Sequence, residues 1–173
     1  MNAISLTQGS AILMGKCKIL VVGSGNGYEL VWLSKAGHDV TGLELYTPDV
    51  SYVKKRTVIG SATDMPFEDG EFGLVYCTEM FEHVTEKDTD LILREMQRVA
   101  EKYYITIATK YDPPYNTHIN VQRGWWWLRK FGEMHFRVVN FQYCPRVFLH
   151  LGVALGFGVY NDGVTLYGYC QDS

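Results

Sequence analysis

Long apolar runs, paired cysteines and concentrated positive charge are all missing from these 173 residues. No stretch approaches the roughly 20 apolar residues that a bilayer-spanning helix needs, so no membrane partner is expected. Met1 to Gly15 lacks the basic region and cleavage site of a signal peptide, and the expected location is the cytoplasm. Cys17, Cys77, Cys144 and Cys170 are scattered, with neither a CxxC pair nor a Cys/His cluster. That spacing speaks against structural zinc, and no metal ligand is assigned. Cys17, Cys77 and Cys170 lie in apolar runs and read as reduced, structural thiols. A net charge of −3 excludes a broad nucleic-acid surface, which needs a basic stripe. The one basic run, Lys54-Lys55-Arg56, reads as a solvated helix end.

What is present suits a globular chain. Hydrophobic residues make up 47% and charged residues 20%. Aromatics reach 14%, which predicts bulky buried side chains and an aromatic-lined pocket. The length fits one domain, residues 1–173, and a second core of useful size would not fit beside it.

Strand and helix patterns alternate along the chain. Lys18 to Val22 is a β-branched apolar run ending in glycines and predicts a buried parallel strand. Tyr28 to Ala36 sets Leu30, Val31, Leu33 and Ala36 at helical spacing, with Gly37 past its end. Asp39 to Leu45 is a second strand. Thr47-Pro48-Asp49 then opens a helix, with Thr47 as cap and Pro48 at the first helical position. Thr57 to Ala62 and Phe72 to Thr78 are the third and fourth strands. Thr85 to Asp88 resembles a capping box, and its helix is expected to bury Leu91, Ile92, Met96 and Val99. Tyr103 to Thr109 is a fifth strand. Asp112 to Val121 reads as a loop, Gly124 to Met134 as a helix carrying three tryptophans, and His135 to Tyr143 as a strand. Pro145 to Leu155 is expected to be helical and Gly163 to Cys170 to be a last strand. Such alternation implies a mostly parallel sheet with helices on both faces.

The strongest local signal is Gly23-Ser24-Gly25-Asn26-Gly27, set between a strand and a helix. Glycine allows positive φ and close backbone approach, and the helix start offers free N–H groups. The dinucleotide fingerprint G-x-G-x-x-G/A does not fit, because its third small position falls on Tyr28. The pattern is G-x-G-x-G. Glu44, at the end of the second strand, can accept hydrogen bonds from both hydroxyls of a ribose.

Further on, Gly60 to Phe67 leads into Asp69 to Val75 and then Cys77-Thr78-Glu79-Met80-Phe81-Glu82-His83-Val84. In these residues the chain resembles the class I methyltransferases of the small-molecule, type 11-like group, over roughly residues 17 to 110. The resemblance implies a three-layer, Rossmann-like, doubly wound sheet with an antiparallel last strand, S-adenosyl-L-methionine as cofactor and S-adenosyl-L-homocysteine as product. It implies that Gly23, Ser24, Gly25 and Gly27 frame the methionine part and that Glu44 holds the ribose. Asp64 would accept from the adenine amine with the Met65 backbone beside it. Thr78 and Glu79 would face the methyl-sulfonium region, and Glu82 would border the acceptor. Relatives usually carry an acid two residues before the first glycine, where it helps hold the methionine ammonium; this chain has Val21.

Methyl transfer is an in-line displacement for which the protein supplies alignment and desolvation, with a base only where the nucleophile must lose a proton. His83 is the first candidate base and His118 the second. Trp125, Trp126 and Trp127 cannot all face one side of a helix; Trp126, with Tyr115, is a candidate for the acceptor pocket. Asp112-Pro113-Pro114-Tyr115 resembles the signature of adenine-N6 DNA methyltransferases, but it follows the fifth strand rather than the fourth and reads as a proline turn. The expected activity is methyl transfer to a small-molecule or carrier-bound acceptor. The alternatives are a non-catalytic binding module on the same scaffold, an adenine-N6 enzyme and, more distantly, a nicotinamide oxidoreductase.

Overall fold

Apolar β-branched runs and amphipathic segments follow one another as strands and helices in the computed structural model, which describes residues 15–47, 51–109, 117–144 and 163–170. The order is β1 (Lys18–Val22), α1 (Tyr28–Lys35), β2 (Asp39–Glu44), α2 (Ser51–Lys54), β3 (Thr57–Ile59) and β4 (Phe72–Thr78). A 3₁₀ turn (Phe81–His83) precedes α3 (Glu86–Val99), β5 (Ala100–Ala108), α4 (Gly124–Glu133), β6 (Arg137–Cys144) and β7 (Gly163–Tyr169). These strands form one sheet in the order β3-β2-β1-β4-β5-β7-β6. The first five pair in parallel, and β7 runs antiparallel between β5 and β6. The fold is a doubly wound, Rossmann-like sheet whose last strand is antiparallel.

Period-two alternation splits the strands between two apolar layers. Ile19, Val21, Leu74 and Tyr76 pack with Leu30 and Leu33 of α1 and Val53 of α2. Leu20, Val22, Val75 and Cys77 pack on the other face with Ile92, Leu93 and Met96 of α3 and Trp127 and Phe131 of α4. Val21 is therefore a core residue, 2% exposed, and an acid in its place would have to lie in that layer.

Several expectations shift. Leu91 is 41% exposed, because the face of α3 turned to the sheet is filled by Thr89, Ile92, Leu93, Met96 and Val99. Thr85 caps that helix, its hydroxyl accepting from the Asp88 N–H at 3.1 Å. The third strand stops at Ile59, where the chain folds into a tight turn closed by the Ser61–Asp64 bridge and a Ser61–Thr63 hydroxyl contact. β5 begins at Ala100, directly from the last turn of α3. The expected helix at 145–155 and the Pro48-Asp49 helix start lie outside the described residues. Among the described residues no helix is long and apolar enough to cross a membrane.

Candidate functional site

β1 lies between β2 and β4, so the turn that leaves it opens beside the C-terminal ends of both neighbours, where open α/β sheets bind ligands. The turn is closed by Gly27 N–H donating to the Ser24 carbonyl at 2.7 Å and is tied to β2 by Gly23 N–H donating to Leu43 at 3.0 Å. Gly23, Gly25 and Gly27 all have positive φ. A β-carbon on Gly27 would also run into the Val53 side chain. Gly27 caps α1 without a side-chain bond, so the first amides of that helix face the turn. Ser24 points inward: it is 2% exposed, with its hydroxyl under the turn near Gly42. Its contribution to the cradle is backbone.

Glu44 ends β2 and reaches back to the same turn, where one carboxylate oxygen accepts the Gly25 N–H at 2.5 Å. β3 lies next to β2, and its end is held there by Gly60 N–H donating to the Glu44 carbonyl at 2.9 Å. Asp64 follows in the short turn beyond and is exposed. The glycine turn, Glu44 and Asp64 thus share one end of the sheet. Met65 is buried, and both of its backbone groups are taken by α3: its N–H donates to Glu95 at 2.7 Å and its carbonyl accepts from Arg98 at 2.8 Å. Asp64, not the Met65 amide, is the open polar group on that ledge.

Across the turn, Thr78 and Thr106 lie opposite each other at the ends of β4 and β5. Each hydroxyl donates to a glutamate, Thr78 to Glu29 at 3.3 Å and Thr106 to Glu79 at 2.8 Å. Glu79 has φ 51, a left-handed conformation uncommon for this residue type and held by its own N–H donating to the Thr106 carbonyl. The following 3₁₀ turn buries Glu82 completely, with neither carboxylate oxygen in a hydrogen bond of good geometry. Burial, and then the Glu79 charge, push its carboxyl up to about 8. The buried Cys77 thiol is likewise pushed well up by burial, then by the charges of Glu82, Glu79 and Glu29. Residues 119 and 120 are stitched to the 3₁₀ turn, both N–H groups donating to the Glu82 carbonyl at 2.8 and 3.0 Å. That brings His118 against His83, ring centroids 4.7 Å apart. His83 is exposed, and its Nδ1 lies 3.1 Å from the Thr117 carbonyl.

Residues 20–103 match the family model described as a methyltransferase domain. Over this stretch, 84 of the 173 residues, the chain is similar to methyltransferase domains, whose chemistry is methyl transfer. It also shares its fold with solved structures of low sequence identity. A SAM-dependent methyltransferase from Methanosarcina mazei aligns with a TM-score of 0.76 at 12% identity, over 100% of both chains. The 1,6-didemethyltoxoflavin-N1-methyltransferase of Burkholderia thailandensis, solved with bound 1,6-didemethyltoxoflavin and S-adenosylhomocysteine, aligns at 0.72 and 16%, over 94% of this chain and 74% of that one. Geranyl diphosphate C-methyltransferase from Streptomyces coelicolor A3(2) aligns at 0.69 and 12%, over 94% and 78%.

Other expected site residues fall elsewhere. Trp126 is half-buried at the seam of α4 and the first turns of α3, edge-on to Trp127 and under Lys130, which is paired with Asp90 at 2.7 Å. Trp127 is core, against Phe81, and Trp125 is 74% exposed beside Phe141. Tyr115 and the rest of the Asp112–Tyr115 motif lie outside the described residues. Sequence reasoning passed over Glu29, whose one visible signal is an acid in the first turn of the helix after the glycines. It also passed over Asn120 and the Glu95–Arg98 pair, which carry no motif.

Proposed function

We propose that this chain is an S-adenosylmethionine-dependent methyltransferase acting on a small-molecule acceptor, with the cofactor lying across the ends of β1 to β4. The observation that carries this reading is the Glu44 carboxylate anchored on the Gly25 amide: an acid fixed at the rim of an uncrowded glycine cradle, with Asp64 beyond it. At Gly25 a β-carbon would meet nothing nearer than the Gly23 carbonyl, which leaves room for an amino-acid tail, and the uncapped amides of α1 suit its carboxylate. Val21 is sealed in the core, so the ammonium falls to Glu29, held at the rim by Thr78. Glu44 suits the ribose hydroxyls and Asp64 the adenine amine. Glu29, Glu44 and Glu79 make this rim acidic, which suits a cofactor bearing a sulfonium and an ammonium.

When bound, S-adenosylmethionine supplies the activated methyl group. Thr78 and Glu79 border the reacting region, and Glu82, His83 and His118 border the acceptor beyond it. The last two are the groups able to take a proton from an acceptor that must lose one. Small acceptors fit the absence of a basic stripe, and the Burkholderia protein, which shares the fold, was solved with bound 1,6-didemethyltoxoflavin.

Calorimetry with S-adenosylhomocysteine tests the cradle. Wild-type protein should bind it, and Glu44→Ala should weaken binding roughly 10- to 100-fold, the loss of charged hydrogen bonds worth about 1.5–3 kcal/mol. Unchanged affinity in Glu44→Ala would overturn the placement. An S-adenosylhomocysteine release assay over small oxygen, nitrogen and sulfur acceptors should then find turnover; binding without turnover on any of them would favour a non-catalytic role.

A further inference from the structure

We propose that Glu82, His83 and His118 form a binding site for a divalent first-row transition ion of the zinc class, at the acceptor side of the crevice. One donor atom from each residue lies within 4.8 Å of the other two. Metal bonds of about 2.0–2.2 Å set ligand–ligand separations of roughly 3–3.5 Å, so the donor atoms have at most about 1–2 Å to close. Two imidazoles and one carboxylate suit zinc, iron(II), cobalt(II) or nickel(II) better than magnesium or calcium, which prefer all-oxygen sets.

Two further observations point the same way. Glu82 is fully buried, neither oxygen has a hydrogen bond of good geometry, and the side chain meets the two rings. A buried acid with no hydrogen bond of good geometry is stabilised as a carboxylate by a cation held between it and the two rings. The second is the His83 Nδ1, 3.1 Å from the Thr117 carbonyl. A carbonyl can only accept, so Nδ1 carries the proton, and in the neutral ring the lone pair is then on Nε2. That bond to a backbone carbonyl is how metal-bound histidines are commonly oriented. The chain holds the parts in place: the 3₁₀ turn presents Glu82 and His83, and the amides of Ile119 and Asn120 bind the Glu82 carbonyl and fix the segment that brings His118.

Three protein ligands leave coordination positions open. These positions face the acceptor side, so the methyltransferase would favour acceptors that offer an oxygen or nitrogen donor to the ion. This last step rests on the methyl-transfer reading; metal binding itself does not.

The test is titration of chelator-treated protein with Co²⁺, followed by visible absorption. One Co²⁺ per chain, with d–d bands abolished by an excess of Zn²⁺, is expected. His83→Ala and His118→Ala, which alter accessible side chains, should each lower Co²⁺ affinity at least tenfold, and Glu82→Gln should do the same where it folds. Acetohydroxamate, a two-oxygen donor, should shift the bands in the wild type. Failure of stoichiometric uptake, or histidine variants that bind Co²⁺ like the wild type, would overturn the metal site. Bands unmoved by acetohydroxamate would overturn the open positions. Calorimetry with S-adenosylhomocysteine on the same samples separates the readings: cofactor binding without Co²⁺ uptake removes the metal alone, and Co²⁺ uptake without cofactor binding removes the methyl-transfer reading alone.

Discussion

At the glycine turn, residues 23–29 and Glu44 come from one stretch of chain, and backbone amides do much of the holding. At the other side, Glu82 and His83 meet His118 from beyond β5, and side chains do the holding. The first end needs small residues and a fixed backbone, so its tolerance for substitution is set by conformation. The second needs two distant segments kept in register, so its tolerance is set by a few hydrogen bonds. A cofactor common to a family suits the first kind of construction, and an acceptor that differs between relatives suits the second. The two ends should therefore fail separately.

Gly27→Ala should have the largest effect. The position has φ 74, and its new β-carbon would meet the Val53 side chain from the apolar layer beneath α1. Left-handed strain and overpacking together predict about 2–5 kcal/mol of lost stability. Chemical denaturation gives that number, and calorimetry should show S-adenosylhomocysteine affinity falling with it. A variant as stable as the wild type, with intact cofactor binding, would mean that the turn does not depend on backbone conformation.

Arg98→Ala tests a support of the cofactor end that comes from far along the chain. The guanidinium donates to the Phe67 and Met65 carbonyls and to Asp69 and Glu95, clamping the segment after Asp64 onto α3. Its loss should cost about 1–2 kcal/mol, less than the bond count suggests because the side chain is partly solvated. S-adenosylhomocysteine affinity should drop several-fold. The Arg98 bond also holds the Glu95 carboxyl below its ordinary value. A depressed carboxylate adds stability above its unfolded value near 4.3 and loses it as pH falls through the folded value. The stability gap between wild type and Arg98→Ala should therefore be level from about pH 7 to 5 and shrink below about pH 4. A gap that widened on acidification would contradict the clamp.

How much of this was legible in the sequence follows the same division. β1, β4 and the glycine turn could be placed from residue type and spacing, because a β-branched run followed by glycines has few other solutions. Glu44 was legible as an acid at a strand end, although not its bond to the Gly25 amide. Met65 was legible as a neighbour of Asp64 but not as a residue whose amide is already taken by Glu95, because that bond crosses to α3. Val21 looked like a missing acid; Glu29 becomes its proposed replacement only once α1 and β4 are packed together. His83 and His118 were legible as candidate bases for one face, but not the approach of the Glu82 carboxyl to both rings, since His118 comes from beyond β5. Leu91 was misplaced because helical spacing left its face open and the tertiary contacts of Ile92 and Leu93 decided it.

Asn120→Ala should have the smallest effect on stability and the sharpest consequence for the comparison. Asn120 is 4% exposed, and its side-chain amide donates to the Thr89 hydroxyl at 3.2 Å and the Phe81 carbonyl at 3.4 Å. These bonds are long, so removing them should cost about 1 kcal/mol, read from denaturation midpoints. The backbone N–H to Glu82 survives the substitution, but the side chain that seats residues 117–120 against the 3₁₀ turn and α3 is gone. His118 then loses its fixed place beside His83. Turnover with a given acceptor should fall about tenfold, as misplacement of a positioning group commonly costs. S-adenosylhomocysteine affinity should stay within about twofold of wild type, because no bond of Asn120 reaches the glycine turn, Glu44 or Asp64. Equal losses in cofactor affinity and turnover would show that the two ends are mechanically one, and the separation drawn between them would have to be abandoned.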